Sequence, residues 1–385
     1  MQEPYMREPC MHVLIIGGGV IGLMTALELA QSNCKVTILD SQDFGKAASW
    51  AGGGILSPMY PWRYPAAVNQ LARLGKQLYQ EWQPILQQAT GLDIEINPSG
   101  MLILDDGEFD NGLNWALQDN DPQQTAQLLS NKEIHNVNPK INADMKQALW
   151  FEQLANIRNP RLLKVLIAYL KQLPNVSMHS FVAAKEFKII NDTLNKVSSH
   201  RINGLIDAQG KSWHADHYVI ANGAWTGLLG QQLPKPIPVK PIQGQMILFK
   251  ASERWLPSMV MHNGIYLIPR LDGHIVCGSS ADDVGFNTDL NTTIHLKLKH
   301  AAYQMIPELK DMPIVHAWAG LRPSVPDGIP YIGAVPQFGN LWLNTGHFRN
   351  GLVMAPASAR LLKQQMLGEP LIVNDTAYLP VHRLN

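Results

Sequence analysis

Charge is scarce in this chain, and so is cysteine. Only 16% of its 385 residues are Asp, Glu, Lys or Arg, and 31 basic residues offset 31 acidic ones. A zero net charge lacks the electrostatic footprint of a nucleic-acid binder, and it gives no pull toward an anionic membrane. The three cysteines, Cys10, Cys34 and Cys277, show no paired spacing. That excludes a disulfide scaffold and a thiolate metal motif, and it makes a reducing cytoplasm the expected compartment. No apolar run reaches the roughly 18 residues a membrane helix needs. The uncharged run from Val13 to Leu27 is interrupted by Gly17, Gly18, Gly19 and Gly22, unlike the compact apolar core of a secretion signal. Serine-hydrolase, zincin and P-loop signatures are all missing. The histidines are scattered, with none spaced as a ligand pair on one helix face, so no metal is expected.

What is present begins after a short tail, residues 1–10. HVLII is a short, branched, continuous apolar run, the pattern of a strand buried on both faces. GGGVIG follows, then Leu23, Ala26, Leu27 and Ala30 at helical spacing, then a second apolar strand, KVTILD. This strand–turn–helix–strand unit places Gly17-x-Gly19-x-x-Gly22 where a dinucleotide's diphosphate is cradled. Gly17 allows the tight turn, Gly19 lets backbone approach the phosphates, and Gly22 lets helix and strand pack closely. Asp40 closes the second strand, where an acid accepts hydrogen bonds from a ribose. Asn33 suits a left-handed helix end. The fingerprint alone leaves NAD and FAD both open, and a non-catalytic nucleotide-binding protein as well.

Further along, SQDFGKAASWAGGGILSP is a small-residue loop against which a flat cofactor could lie. Val68, Leu71, Leu74, Leu78, Trp82 and Ile85 predict an amphipathic helix. Asn159-Pro160 reads as a helix start, with Asn as cap and Pro at the first helical position. YVIA runs into Asn222-Gly223, a second strand end suited to a cofactor edge. Near the C-terminus TGHFRNGL leads from a glycine loop into a helix and repeats the phosphate-cradle pattern.

Taken in order along the chain, GGGVIG, the SWAGGG loop, ANGAWT, PIQGQ, YLIPR, GSS, WAGLRP, DGIPYIG and TGHFRNGL resemble the glycine oxidase and D-amino acid oxidase family of flavoproteins. The resemblance runs from about Met11 to Gly368 and favours FAD over NAD. It implies an α/β fold. A Rossmann-like FAD-binding domain (11–85, 151–230 and 317–370) would accompany a discontinuous, antiparallel-sheet α+β substrate domain (86–150 and 231–316).

It also implies a noncovalent FAD. Gly17, Gly19, Val20, Ile21, Gly22, Asp40 and Ser41 match the positions that hold its adenosine and diphosphate. Ala48, Ser49, Gly52, Gly53 and Gly54 match the loop beside the flavin, and Val182 matches a backbone contact to adenine. Gly223 belongs with the second strand end, while His347, Phe348, Arg349, Asn350, Gly351, Leu352 and Val353 match the loop facing the flavin's pyrimidine edge. Donors and a positive helix end there stabilise the charge gained on reduction.

On the substrate side the resemblance assigns Arg322 as a carboxylate clamp, with Tyr266 and Arg349 beside it. A guanidinium grips a carboxylate through two parallel hydrogen bonds. The activity implied is oxidation of glycine, sarcosine or D-alanine, with molecular oxygen as acceptor and hydrogen peroxide as product. A role in making the thiazole of thiamine would follow from it. No general acid or base is expected, and His347 reads as structural. Alternatives in the same chemistry are a broader D-amino acid oxidase, a dehydrogenase passing electrons elsewhere, and a tRNA-modifying flavin domain. Two departures from the family stand out: Gly54 occupies a position where a bulkier residue is expected, and Trp62, Arg63 and Tyr64 are placed to lean into the pocket. Cys277 reads as a small core residue. Oligomeric state stays open.

Overall fold

The computed structural model describes residues 11–118, 125–192 and 199–384. The expected tail, 1–10, lies outside them. The first strand, His12–Ile16, forms the middle of a six-stranded sheet. The sheet runs Tyr331–Ala334, Leu341–Thr345, His217–Ile220, His12–Ile16, Lys35–Leu39, Val176–His179, and all pairs are parallel except the first. Val13, Leu14, Ile15 and Ile16 are all buried, because helices cover one face and a small antiparallel sheet covers the other. Both faces being covered explains why the strand is continuously apolar rather than alternating.

The first helix Val20–Gln31, the long helix Ala66–Thr90 and the C-terminal helix Gly351–Leu367 share one apolar cluster. The long helix continues beyond the periodic residues that predict it, ending at Gly91 in the left-handed conformation at φ 69°. Pro84 lies within it. Asn33 takes the left-handed conformation expected of it, at φ 60°. The helix predicted at Asn159 forms over Asn159–Leu170, but Arg158 is the capping position and Asn159 is already helical. The reason is tertiary: the Asn159 amide donates to the Ser49 carbonyl at 2.8 Å, so its side chain serves the small-residue loop instead of its own helix.

The second large sheet has eight strands in the order Ile314–Ser324, Lys240–Lys250, His274–Gly278, Ile265–Pro269, Met259–His262, Met101–Ile103, Gln147–Phe151, Gln127–Ser130. It is antiparallel apart from one pair, Met259–His262 with Met101–Ile103. We propose the two large sheets as the centres of the two domains. The boundary expected at 317 then moves beyond Ser324, because Ile314–Ser324 is one strand paired along its length with Lys240–Lys250. Cys277 is fully buried in this sheet's core, as a small apolar residue would be. Among the described residues no helix is long and apolar enough to cross a membrane, and no cluster of His, Cys, Asp and Glu could hold a metal.

Candidate functional site

A cavity of about 440 Å³ runs from the end of the first strand to the face of the antiparallel sheet. Its first wall is the glycine turn. Gly17 has φ 112°, and a Cβ there would stand 2.4 Å from the Ala221 carbonyl oxygen. At Gly22 a Cβ would stand 1.8 Å from the Gly17 carbonyl oxygen, so the helix could not lie against the strand. Asp40 reaches back across the turn: its two carboxylate oxygens accept from Gly18 N at 2.7 Å and Gln42 N at 2.8 Å. Burial raises the Asp40 pKa, and those two N–H donors oppose the rise. The Asp40 carbonyl also accepts from Val182 N at 2.7 Å, which brings Val182 to the same end of the cavity.

Ser49 forms part of the small-residue loop and accepts from Val20 N at 2.8 Å, tying that loop to the start of the helix Val20–Gln31. The loop contains one short helix, Ala48–Ala51, then Gly52, Gly53 and Gly54. Gly54 is the expected departure explained. It has φ 85°, and a Cβ would meet the Ile157 carbonyl oxygen at 2.1 Å, so no bulkier residue fits. Trp62, Arg63 and Tyr64 do not line the cavity. Trp62 stacks on Phe151 in an apolar cluster, and both Trp62 and Arg63 donate to Glu108, which draws the turn outward.

At the far wall the strand Leu341–Thr345 ends in Gly346, followed by His347 and the turn Phe348–Asn350. The helix Gly351–Leu367 then starts with no side chain capping it, and its first residues line the cavity. Uncapped N–H groups and the helix dipole together make that end electropositive. Gly75 of the long helix permits this placement, since a Cβ there would be 1.9 Å from the Val353 carbonyl oxygen. His347 is fully enclosed and its Nε2 is 3.0 Å from Ser358 Oγ. Burial lowers its pKa to about 3, so it is neutral. Gly223 sits on the remaining wall, where Thr226 Oγ1 donates to Asn222 Oδ1 at 2.8 Å and lies 2.7 Å from Thr345 Oγ1.

The antiparallel sheet closes the cavity with Tyr266, Arg322 and Met246, while Arg349 approaches from the helix side. Arg322 Nη2 donates to Ser279 Oγ at 2.7 Å, and Nη1 donates to Ser280 O at 3.0 Å and, weakly, to Gln243 O at 3.4 Å. No described carboxylate pairs with Arg322 or Arg349. Of five guanidinium N–H groups, these three bonds take three, which leaves Nε–H and one Nη2–H of Arg322 beside the Tyr266 hydroxyl. Burial lowers the Arg322 pKa, and so does the nearby Arg349 charge, while the Tyr266 hydroxyl beside it acts the other way. Gly244 lies under the guanidinium, where a Cβ would be 2.1 Å from Nη2.

Of the cofactor and substrate residues singled out from the sequence, all but Gly22 line this one cavity, Tyr266 and Arg322 included; Gly22 sits behind the turn, against the Gly17 carbonyl and Ile15. Sequence reasoning missed Asn159, Asn344, Ser279, Gly244 and Met246, which line it as well. GSS and PIQGQ mark the segments of two of them, Ser279 and Gly244. Nothing in sequence marked Asn344, which donates to Thr25 Oγ1 at 3.0 Å from the end of a buried strand. Asn159 Oδ1, Asn344 Oδ1 and His347 Nδ1 are buried along these walls without a hydrogen-bond partner. Such orphans are rare unless a ligand or water meets them. With the glycine turn and two helix starts facing inward, they fit a dinucleotide.

A parallel sheet ending in a glycine turn meets a guanidinium-bearing antiparallel sheet across one cavity, the setting of a dinucleotide-dependent oxidoreductase. Residues 12–365 match the family of FAD dependent oxidoreductases. The chain is 41% identical to a glycine oxidase of Pseudomonas aeruginosa over 373 residues, 97% of this chain and 99% of that one. It is 33% identical over 356 residues, 91% of this chain, to the bifunctional protein ThiO/ThiG of Trichormus variabilis, covering 52% of that protein. The crystal structure of glycine oxidase from Geobacillus kaustophilus superposes with a TM-score of 0.88 at 24% identity, covering 97% of this chain and 99% of that one. The chain belongs to the FAD-dependent oxidoreductase family, and it is an oxidoreductase whose cofactor is FAD.

Proposed function

We propose that the protein oxidises glycine and other small amines or D-amino acids, such as sarcosine and D-alanine, to the imine. The observation that carries this is Arg322, a cavity-lining guanidinium that keeps N–H groups beyond those given to Ser279, Ser280 and Gln243 and has no described carboxylate paired with it. In this reading Gly17, Gly19, Val20, Ile21, Gly22, Asp40 and Ser41 hold the adenosine diphosphate half, with Val182 at the adenine. Ala48, Ser49, Gly52, Gly53 and Gly54 lie along the flavin, with Gly223 nearby, and His347 through Val353 meet its pyrimidine edge.

When bound, FAD would supply the two-electron acceptor for the substrate's carbon–hydrogen bond, with molecular oxygen as final acceptor and hydrogen peroxide as product. The chain's own residues bind and orient. Arg322 takes the carboxylate through two charge-assisted bonds, Tyr266 adds a hydroxyl, and Arg349 adds positive potential. Holding the carbon–hydrogen bond at one angle removes much of the entropic barrier; the substrate reacts as the free amine, its ammonium proton having gone to water, so no protein base is assigned. His347 is neutral and held by Ser358, which suits a structural role. Met59, Met246 and Tyr266 belong to one apolar cluster whose edge lines the cavity, which favours a small side chain on the substrate. An imine released into water hydrolyses to the 2-oxo acid and ammonia or an amine. Its use in thiazole synthesis fits the likeness to ThiO/ThiG.

The test is anaerobic bleaching of the bound flavin by glycine, sarcosine, D-alanine and larger D-amino acids, then peroxide measurement in air. Bleaching by the small substrates with stoichiometric peroxide is expected. Bleaching without peroxide would point to another electron acceptor, and no bleaching by any of them would overturn the proposal.

A further inference from the structure

Arg270 closes the YLIPR segment and is only 5% exposed. Such a burial is expensive for a charged group unless its donors are met. Here they are met by parts of the chain distant in sequence. Nη2 donates to the Gly53 carbonyl at 2.7 Å, and Nη1 donates to Asn156 Oδ1 at 2.8 Å and to the Ile157 carbonyl at 2.9 Å. The same stretch is laced directly: Ile157 N donates to Gly54 O at 2.8 Å, and Ile55 bridges Asn156. Arg158, beside this stretch, pairs with Asp272 at 2.8 Å and with Glu95 at 3.4 Å, so nearby carboxylates balance the local positive charge. Burial and the Arg158 charge lower the Arg270 pKa to about 10, which leaves it charged at neutral pH.

The register of the strand gives the arrangement its consequence. Tyr266, Ile268 and Arg270 are alternate residues, so they point to one side of the chain. All three meet the same loop. A Cβ on Gly53 would stand 2.7 Å from Ile268 Cδ1 and 3.1 Å from the Tyr266 hydroxyl, while the Gly53 carbonyl is the Arg270 acceptor. One row of side chains therefore fixes the loop laid along the flavin to the strand that carries a substrate contact. In the flavin reading above, the spacing between those two surfaces is the one that separates substrate from flavin.

We infer that Arg270 is a positioning residue that sets the separation between the Gly52–Gly54 flavin loop and Tyr266, and through it the angle of the substrate toward the flavin. It does not line the cavity itself. Lysine cannot replace it, because one ammonium on a flexible stem cannot reproduce a fork that serves Gly53, Asn156 and Ile157 at once. A misplacement of about 1 Å costs on the order of 100-fold in rate when orientation carries the catalysis.

The inference rests on the flavin reading above, and the experiment separates the two. Arg270→Lys is purified with its FAD, and three quantities are measured on the holoenzyme: the visible circular dichroism of the flavin, the FAD dissociation constant, and the limiting rate of anaerobic bleaching per bound flavin. The expected result is an altered flavin dichroism and a limiting rate lower by about 10- to 100-fold, with half-saturation by glycine changed less than the rate. Asn156→Ala removes one acceptor and leaves the arginine, and it should shift both readouts the same way by less. It also decides the matter if the lysine variant does not fold. A flavin dichroism and limiting rate equal to wild type in a folded variant overturn the inference, as does a lowered melting temperature with the rate per flavin unchanged. If wild type itself is not bleached by any amino acid, the substrate reading has failed, and dichroism and FAD affinity alone still decide the role of Arg270.

Discussion

Replacing Arg322 by alanine removes the two donors left for a substrate carboxylate. Each charge-assisted bond is worth about 1.5–3 kcal/mol. The pair is not strictly additive, so the loss should be about 4 kcal/mol, close to 1,000-fold in kcat/KM. Arg322→Lys keeps the charge but offers no parallel fork, and should fall between wild type and alanine. FAD should remain bound in both, because the guanidinium contacts Ser279, Ser280 and Gln243 rather than the glycine turn. Gly244→Ala provides a third probe, since its new methyl would press on the guanidinium from beneath and displace it. Anaerobic stopped-flow bleaching over a range of glycine concentrations separates binding from the limiting rate. The alanine variant should need far more glycine for half-maximal bleaching. If its concentration dependence matched wild type while it held flavin normally, Arg322 would not be the carboxylate site and the substrate reading would fall with it.

Three further outcomes follow from packing and charge. His347 has its pKa lowered by burial from 6.5 to about 3, so the unfolded chain binds the extra proton as pH falls between those values. Its burial therefore costs nothing above about pH 6.5 and about 2 kcal/mol at pH 5. In melting curves His347→Asn should flatten the loss of stability between pH 7 and about pH 5, whereas an unchanged slope would reject this account. Gly75→Val should weaken FAD binding and lower stability by about 1–3 kcal/mol through overpacking against Val353, while Gly107→Ala, with open space around it, should change little. Arg360 holds the buried Glu28 through three bonds of 3.0–3.2 Å from Nε and Nη2. Arg360→Ala should cost about 3 kcal/mol by leaving that carboxylate unpaired; urea melts check this, and the double change with Glu28→Leu should recover part of the loss.

The sequence determined more of the nucleotide half than of the rest. HVLII, GGGVIG, the spaced apolar residues after it and KVTILD are local signals, and each acts within about a dozen residues. Gly17 and Gly22 are needed because backbone passes within reach of a missing Cβ, and the G-x-G-x-x-G spacing records that need directly. The clamp was legible only through ordered resemblance, since one arginine between a leucine and a proline has no local mark.

What sequence could not decide was which distant groups share a surface. Asn159 is spaced as a cap, yet its amide is taken by Ser49, more than a hundred residues away. Trp62 and Arg63 are placed beside the flavin loop in sequence, and Glu108 pulls them away. Asn344 and Arg270 look like ordinary strand-end residues until folding brings Thr25 to one and Gly53 to the other. Periodicity and glycine spacing are properties of neighbouring residues, so the chain states them by itself. Hydrogen bonds between segments depend on where two sheets meet, and only the folded structure fixes that.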